Sequence, residues 1–239
     1  MSLPSLIASS RLLLAGCLLL LLVSATRLSA REVRTIYLPG KGASLAKAYL
    51  VGAKTALEVE LPQRNLSPEV KLPNGDLTLI ALPSAPVEGT PIPAGAPRCA
   101  IPEAWQRCIL IFLCDPKNTV FPVRIIPVDA SSANFPKGST RIYNLSGTTV
   151  LGQFGTERIH LESGKSKSFG APIQGFGGYP MGIDCILEGE KTPRAICRSF
   201  WQHDPESRQI LFVIPQEGTN LPRVWGVLDK GGDDDKADP

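Results

Sequence analysis

The sequence predicts an all-β protein, an antiparallel β-sandwich of immunoglobulin-like type, built as one unit or as two tandem β units. Three observations lead there. Twenty-two prolines and twenty-two glycines break the 239 residues into short apolar runs. No apolar stripe of helical period lasts the roughly dozen residues that a stable helix needs. Several runs instead alternate apolar and polar residues, with turn-forming residues between them.

The chain opens with a segment that reads as an export signal. Met1 to Ala30 holds no acidic residue, Arg11 precedes the apolar run Leu12 to Val23, and small residues follow in Val23-Ser24-Ala25 and Leu28-Ser29-Ala30. That pattern predicts a signal peptide over residues 1–30, cut after Ala30 or Ala25, because the run is shorter than the roughly 20 apolar residues of a membrane span. Leu14-Ala15-Gly16-Cys17 also has the form of a lipobox, and lipidation of Cys17 or an uncleaved signal would tether the protein to a membrane. Cys17 stands close behind Arg11, however, and the apolar run continues past it. The expected product is periplasmic or extracellular.

Loss of residues 1–30 removes Arg11 and Arg27 and lowers the formal charge from +3 to about +1. A near-neutral chain lacks the basic surface that phosphate backbones require, so nucleic acid is excluded as a partner. The mature chain divides into a β domain at 31–85, a proline-rich linker at 86–103, a β-sandwich domain at 104–229 and a disordered acidic tail at 230–239.

Within the first part, residues 47–51 suit a strand. Thr55 to Leu61 alternates, with Leu57, Val59 and Leu61 on one face. Asn74-Gly75 predicts a hairpin turn that sets Leu72 opposite Leu77. Prolines crowd residues 83–102 and bar them from a sheet interior, so the segment is either the linker between two β domains, the favoured reading, or a long loop crossing one sandwich. Cys108 to Cys114 is apolar on both faces, as a central strand should be. Asp115-Pro116-Lys117-Asn118 has type I turn chemistry, and Pro122 and Pro127 put the next run at a sheet edge. Further strands are expected at 140–145, 149–154, 158–161, 181–187, 194–201, 209–214 and 223–228. An echo between Asn65-Leu66-Ser67 and Asn144-Leu145-Ser146, each followed by a glycine and a strand, fits either duplicated units or two turns that each happen to lead into a strand. Both tripeptides also fit the glycosylation acceptor pattern.

Five cysteines remain beyond residue 30: Cys99, Cys108, Cys114, Cys185 and Cys197. None has zinc-ligand spacing, and no metal or cofactor is expected. Cys185 and Cys197 lie six residues either side of Lys191. A hairpin centred there opposes them as a disulfide, pairs Asp184 with Arg198 and Glu188 with Arg194, and sets Ile186 against Ile196.

Residues of chemical interest are few. His203 and Asp204, in Trp201-Gln202-His203-Asp204-Pro205, are the candidate catalytic pair of a secreted hydrolase. Strand neighbours point to opposite faces, which weighs against a working dyad. Phe176, Tyr179 and Trp201 are candidate ligand-stacking rings of a carbohydrate-binding module. Gly164-Lys165-Ser166 reads as a turn, because Ile159 stands where a phosphate loop needs glycine. Residues 68–75 (Pro-Glu-Val-Lys-Leu-Pro-Asn-Gly) and 198–213, from Arg198-Ser199-Phe200-Trp201 to Val213, resemble segments of uncharacterised exported bacterial β-sandwich-type proteins. The resemblance implies a bacterial setting and carries no activity. The expected function is non-enzymatic, the binding of a protein or glycan partner or scaffolding in the envelope or extracellular space.

Overall fold

The computed structural model describes residues 30–40, 44–52 and 56–231. The expected leader, Cys17 and most of the acidic tail lie outside the described residues. Sixteen strands and no helix are found among those described. They are β1 (Arg31–Leu38), β2 (Lys47–Val51), β3 (Ala56–Glu60), β4 (Val70–Leu72), β5 (Leu77–Leu82), β6 (Arg98–Ile101), β7 (Arg107–Cys114) and β8 (Val123–Asp129). The second half adds β9 (Thr140–Asn144), β10 (Thr149–Phe154), β11 (Glu157–Leu161), β12 (Ser166–Phe169), β13 (Gly177–Ile186), β14 (Arg194–His203), β15 (Arg208–Ile214) and β16 (Arg223–Asp229).

The strands form four sheets that stack as layers. Layer 1 is β3-β2-β5-β6, layer 2 is β4-β1-β7-β8, layer 3 is β12-β9-β15-β16 and layer 4 is β11-β10-β13-β14. One core, with Leu50, Leu79, Leu110 and Phe112, fills the space between layers 1 and 2. Another, with Ile142, Phe154, Tyr179 and Leu211, lies between layers 3 and 4. A third joins layers 2 and 3 through Ile36, Ile111, Phe135, Tyr143 and Phe212. Layers 2 and 3 therefore bury both faces, which explains the unbroken apolar run of β7.

Raising every strand number in the first sandwich by eight gives the sheet orders of the second, with the same parallel or antiparallel sense at each pairing. The fold is thus two topologically identical eight-strand sandwiches. Both depart from a purely antiparallel plan, since β1 runs parallel to β7 and β9 parallel to β15. The tripeptide echo belongs to a different register: Asn144 ends β9, whereas Asn65 lies between β3 and β4. Asn144 is also fully buried and donates to the Thr148 and Leu161 carbonyls, so it is no glycosylation acceptor in the folded chain.

The expected division at 86–103 is corrected by the pairing. β1 and β7 lie on either side of that segment yet share a ladder from Glu32↔Arg107 to Leu38↔Leu113. Arg98–Ile101, inside the supposed linker, pairs with β5. Proline keeps a segment out of a sheet interior whether it leads to a new domain or returns to the same one, and here it returns. The first sandwich ends at Asp129 and the second begins at Thr140.

The Asn74-Gly75 hairpin is corrected too. Gly75 does take a positive φ of 94°, as a turn there requires. But β4 pairs with β1 and β5 with β2 and β6, so the turn arches between layers rather than joining neighbours. The buried Arg31 secures this end of the sandwich, donating to the carbonyls of Gly75 (2.8 Å) and Pro102 (3.0 Å). Leu72 and Leu77 still share one core.

In the β13–β14 hairpin, Cys197 lies opposite Ile183 and Cys185 opposite Arg194, and both cysteines are free thiols. The turn is set by Gly189, at φ 79°, rather than Lys191. A bulge between Ile183 and Asp184 shifts the register again, leaving Ile196 without an opposite residue. The Arg198–Asp184 ion pair forms nonetheless, while Arg194 takes Glu190 in place of Glu188. Burial pushes the thiol of Cys99 up to about 11 and that of Cys108 up to about 12. Both stay protonated at mildly alkaline pH, so iodoacetamide at pH 8 should alkylate them only after denaturant is added. Mass mapping that finds them modified at once in the native protein would contradict this.

Candidate functional site

The candidate catalytic pair does not assemble. His203 ends β14 with its ring turned inward, 6 % exposed. Its Nε2 has no hydrogen-bond partner among the described residues. Asp204 begins a turn instead: its Oδ1 accepts from the Glu206 N–H (3.0 Å) and its carbonyl from the Ser207 N–H (3.2 Å). The space beside His203 is about 10 Å³, too small for a substrate.

The candidate rings divide by face. Tyr179 and Trp201 are direct neighbours across the β13–β14 ladder, and both point into the core between layers 3 and 4. Burial first, and then the nearby Cys197, push the Tyr179 phenol up to about 12, which removes it from acid–base work near neutrality. Phe176 is exposed on the loop before β13.

The opposite, outward face of layer 4 holds residues that the sequence reading passed over. Strand alternation turns Phe200 and Arg198 outward because Trp201, Ser199 and Cys197 take the inner positions. Phe200 is 78 % exposed. A Cβ added at Gly178 of β13 would lie 3.7 Å from the ring's Cδ1, so one edge of the ring approaches that glycine. Arg198 stands directly opposite Gly182. A Cβ there would lie 3.6–3.8 Å from the Arg198 Nη1, Cδ and Cζ together, so the guanidinium lies across the glycine. Hydrogen bonds to the carbonyls of Ile183 (3.1 Å) and Cys197 (2.8 Å), and the Asp184 ion pair, pin it.

The ladders extend this into a row across the sheet. Arg158 on β11 faces Gln153 on β10, Gln153 faces Gly182, and Gly182 faces Arg198. With strands about 4.8 Å apart, the row spans roughly 14 Å. Two guanidinium groups and an amide therefore flank a floor of glycine backbone. The floor and walls enclose a trough of about 920 Å³, with Phe200 at one side. Arg158 has no ion-pair partner among the described residues, whereas Arg198 is neutralised by Asp184. Such a surface offers flat faces for stacking and planar donors for in-plane hydrogen bonds. Among the described residues, its two hydroxyl side chains, Thr156 and Ser199, make no hydrogen bond to a carboxylate or an imidazole.

The pair Phe200-Trp201 held the one available signal. Adjacent large aromatics in a strand split between faces, so one is exposed wherever a sheet is covered on one side alone, as layer 4 is. No protein-family model matches the chain, and no curated protein matches it.

Proposed function

We propose that the protein is exported and acts by binding, with an extended glycan held in the layer 4 trough. The observation that carries this reading is a pair of planar groups on one exposed sheet face, the solvent-exposed Phe200 ring and the Arg198 guanidinium that lies across Gly182. The apolar face of a pyranose ring packs on an exposed aromatic, and its ring hydroxyls suit the planar donors of Gln153, Arg158 and Arg198. The leader pattern of residues 1–30 supports an extracytoplasmic setting, where such polymers are found.

Affinity electrophoresis through gels containing neutral or uronate-rich polysaccharide tests this directly. Wild-type protein should be retarded by at least one class, and Phe200→Ala should weaken the retardation about tenfold, the loss of one stacking contact. The variant should keep its melting temperature, because the side chain is 78 % exposed. A wild type that runs unretarded in every gel, or an alanine variant retarded as strongly, would sink the glycan reading.

A further inference from the structure

A second cavity, of about 500 Å³, lies where the two sandwiches meet. That size is within the range of roughly 300–1,000 Å³ usual for small-molecule sites, and junctions between domains are a common place for them. It opens at the C-terminal ends of β1, β7, β9 and β15. The duplication builds its walls in pairs: Leu38 at the end of β1 and Leu145 just past β9, then Leu113 near the end of β7 and Ile214 at the end of β15. The third pair is Arg124, at the start of β8, and Arg223, at the start of β16.

Both arginines share a face with residues of the core between layers 2 and 3, Arg124 with Ile126 and Val128, Arg223 with Trp225 and Val227. Both are exposed, and neither is paired with a carboxylate among the described residues. The Arg223 guanidinium rests 4.7 Å over the Trp225 ring. At the other end of the same junction two arginines, one from each sandwich, already share a carboxylate. There Arg34 of the first sandwich and Arg208 of the second hold a single carboxylate, that of Asp229, at 2.7 and 2.9 Å. The rest of the cleft's lining is uncharged apart from Glu217, a single carboxylate that disfavours a multiply charged head group.

We propose that this cleft binds a long-chain monocarboxylate, its carboxylate between Arg124 and Arg223 and its chain along Leu38, Leu113, Leu145 and Ile214. Guanidinium forks match a carboxylate, and the charge-assisted bonds are the strong ones. The site is separate from the layer 4 trough and does not depend on glycan binding.

The test is titration of the full chain with dodecanoate labelled with ¹³C at its carboxyl carbon, followed by NMR, beside dodecanol and acetate as tail-only and head-only probes. Saturable dodecanoate binding is expected, with dodecanol and acetate each weaker by about tenfold or more. The double variant Arg124→Gln/Arg223→Gln should weaken dodecanoate by at least about tenfold, with an unchanged melting temperature since both side chains are exposed. The proposal is overturned if dodecanoate does not saturate, if the double variant binds it as wild type does, or if dodecanol binds equally well.

Discussion

Asp229→Ala should cost the protein about 3–5 kcal/mol in denaturant unfolding, because it strands the buried Arg208 in the junction between the sandwiches and takes the carboxylate from Arg34. Asp229 is 2 % exposed and Arg208 3 %. The carboxylate takes 2.7 Å from Arg34 and 2.9 Å from Arg208, and Arg208 also donates to the carbonyls of Ala130 (2.6 Å) and Phe135 (3.2 Å). These carbonyls belong to the crossover between sandwiches, so the network ties both units and their connection at one point. A buried pair is weak evidence of net stabilisation, since bringing both charges out of water offsets much of their attraction. Removing one partner is different, because the other charge stays buried without compensation. Arg34 is partly exposed and can turn to water, but Arg208 cannot. Asp229→Ala/Arg208→Met should therefore recover a good part of the loss. A single variant that unfolds within about 1 kcal/mol of wild type would show that water already solvates the site.

These buried arginines also show why part of the fold was hard to read. β1 begins Arg-Glu-Val-Arg, and charge at alternate positions ordinarily marks a solvent face. In layer 2 both faces are covered: Val33 and Tyr37 enter one core, Ile36 and Leu38 another, and Arg31 is fully buried among carbonyls. No polar alternation survives that environment, so β1, which pairs with β7 inside the first sandwich, left no periodic trace. β7 itself was legible because its two faces are uniformly apolar. β3 and β16 were legible for the usual reason, one face packed and one wet. β12, Ser166–Phe169, buries only its phenylalanine and could not be distinguished from the turn before it.

The strands that carry the candidate site were legible, and the face and register that build it were not. A strand at 194–201 and a hairpin with β13 were both apparent, yet face and register depend on pairing. The turn at Gly189 moves the centre of the hairpin away from Lys191, the bulge at Ile183/Asp184 offsets one ladder side, and each event moves every later partner. Two thiols that looked opposed are two positions apart for that reason. The same register gives Arg198 a glycine to lie upon, which no local pattern in β14 signals.

Gly152 and Gly182 adjoin in the floor of the trough, and alanine at the two positions should have opposite consequences. At Gly182 an added Cβ meets nothing closer than 3.6 Å, and then only the flexible Arg198. Gly182→Ala should hold stability within about 1 kcal/mol or raise it slightly, since glycine in a strand carries an entropic penalty. At Gly152 φ is 156°, and the Cβ would fall 2.1 Å from the Gly182 carbonyl oxygen and 3.0 Å from the Ile183 Cα. Those atoms are backbone of the paired strand β13, held in register from Thr149↔Ile186 to Phe154↔Met181, and cannot step aside without opening that ladder. β10 is also paired with β11 on its other side, from Val150↔Leu161 to Phe154↔Glu157. Backbone strain of about 1–3 kcal/mol therefore adds to lost ladder hydrogen bonds, and Gly152→Ala should destabilise by about 3 kcal/mol or more. Amide exchange should localise the damage, with protection falling first in β10 and β13 while β7 in the first sandwich keeps its own. Equal stability of the two alanine variants would mean that β10 and β13 do not approach as closely as this geometry requires, and the glycine floor of the trough would fall with it.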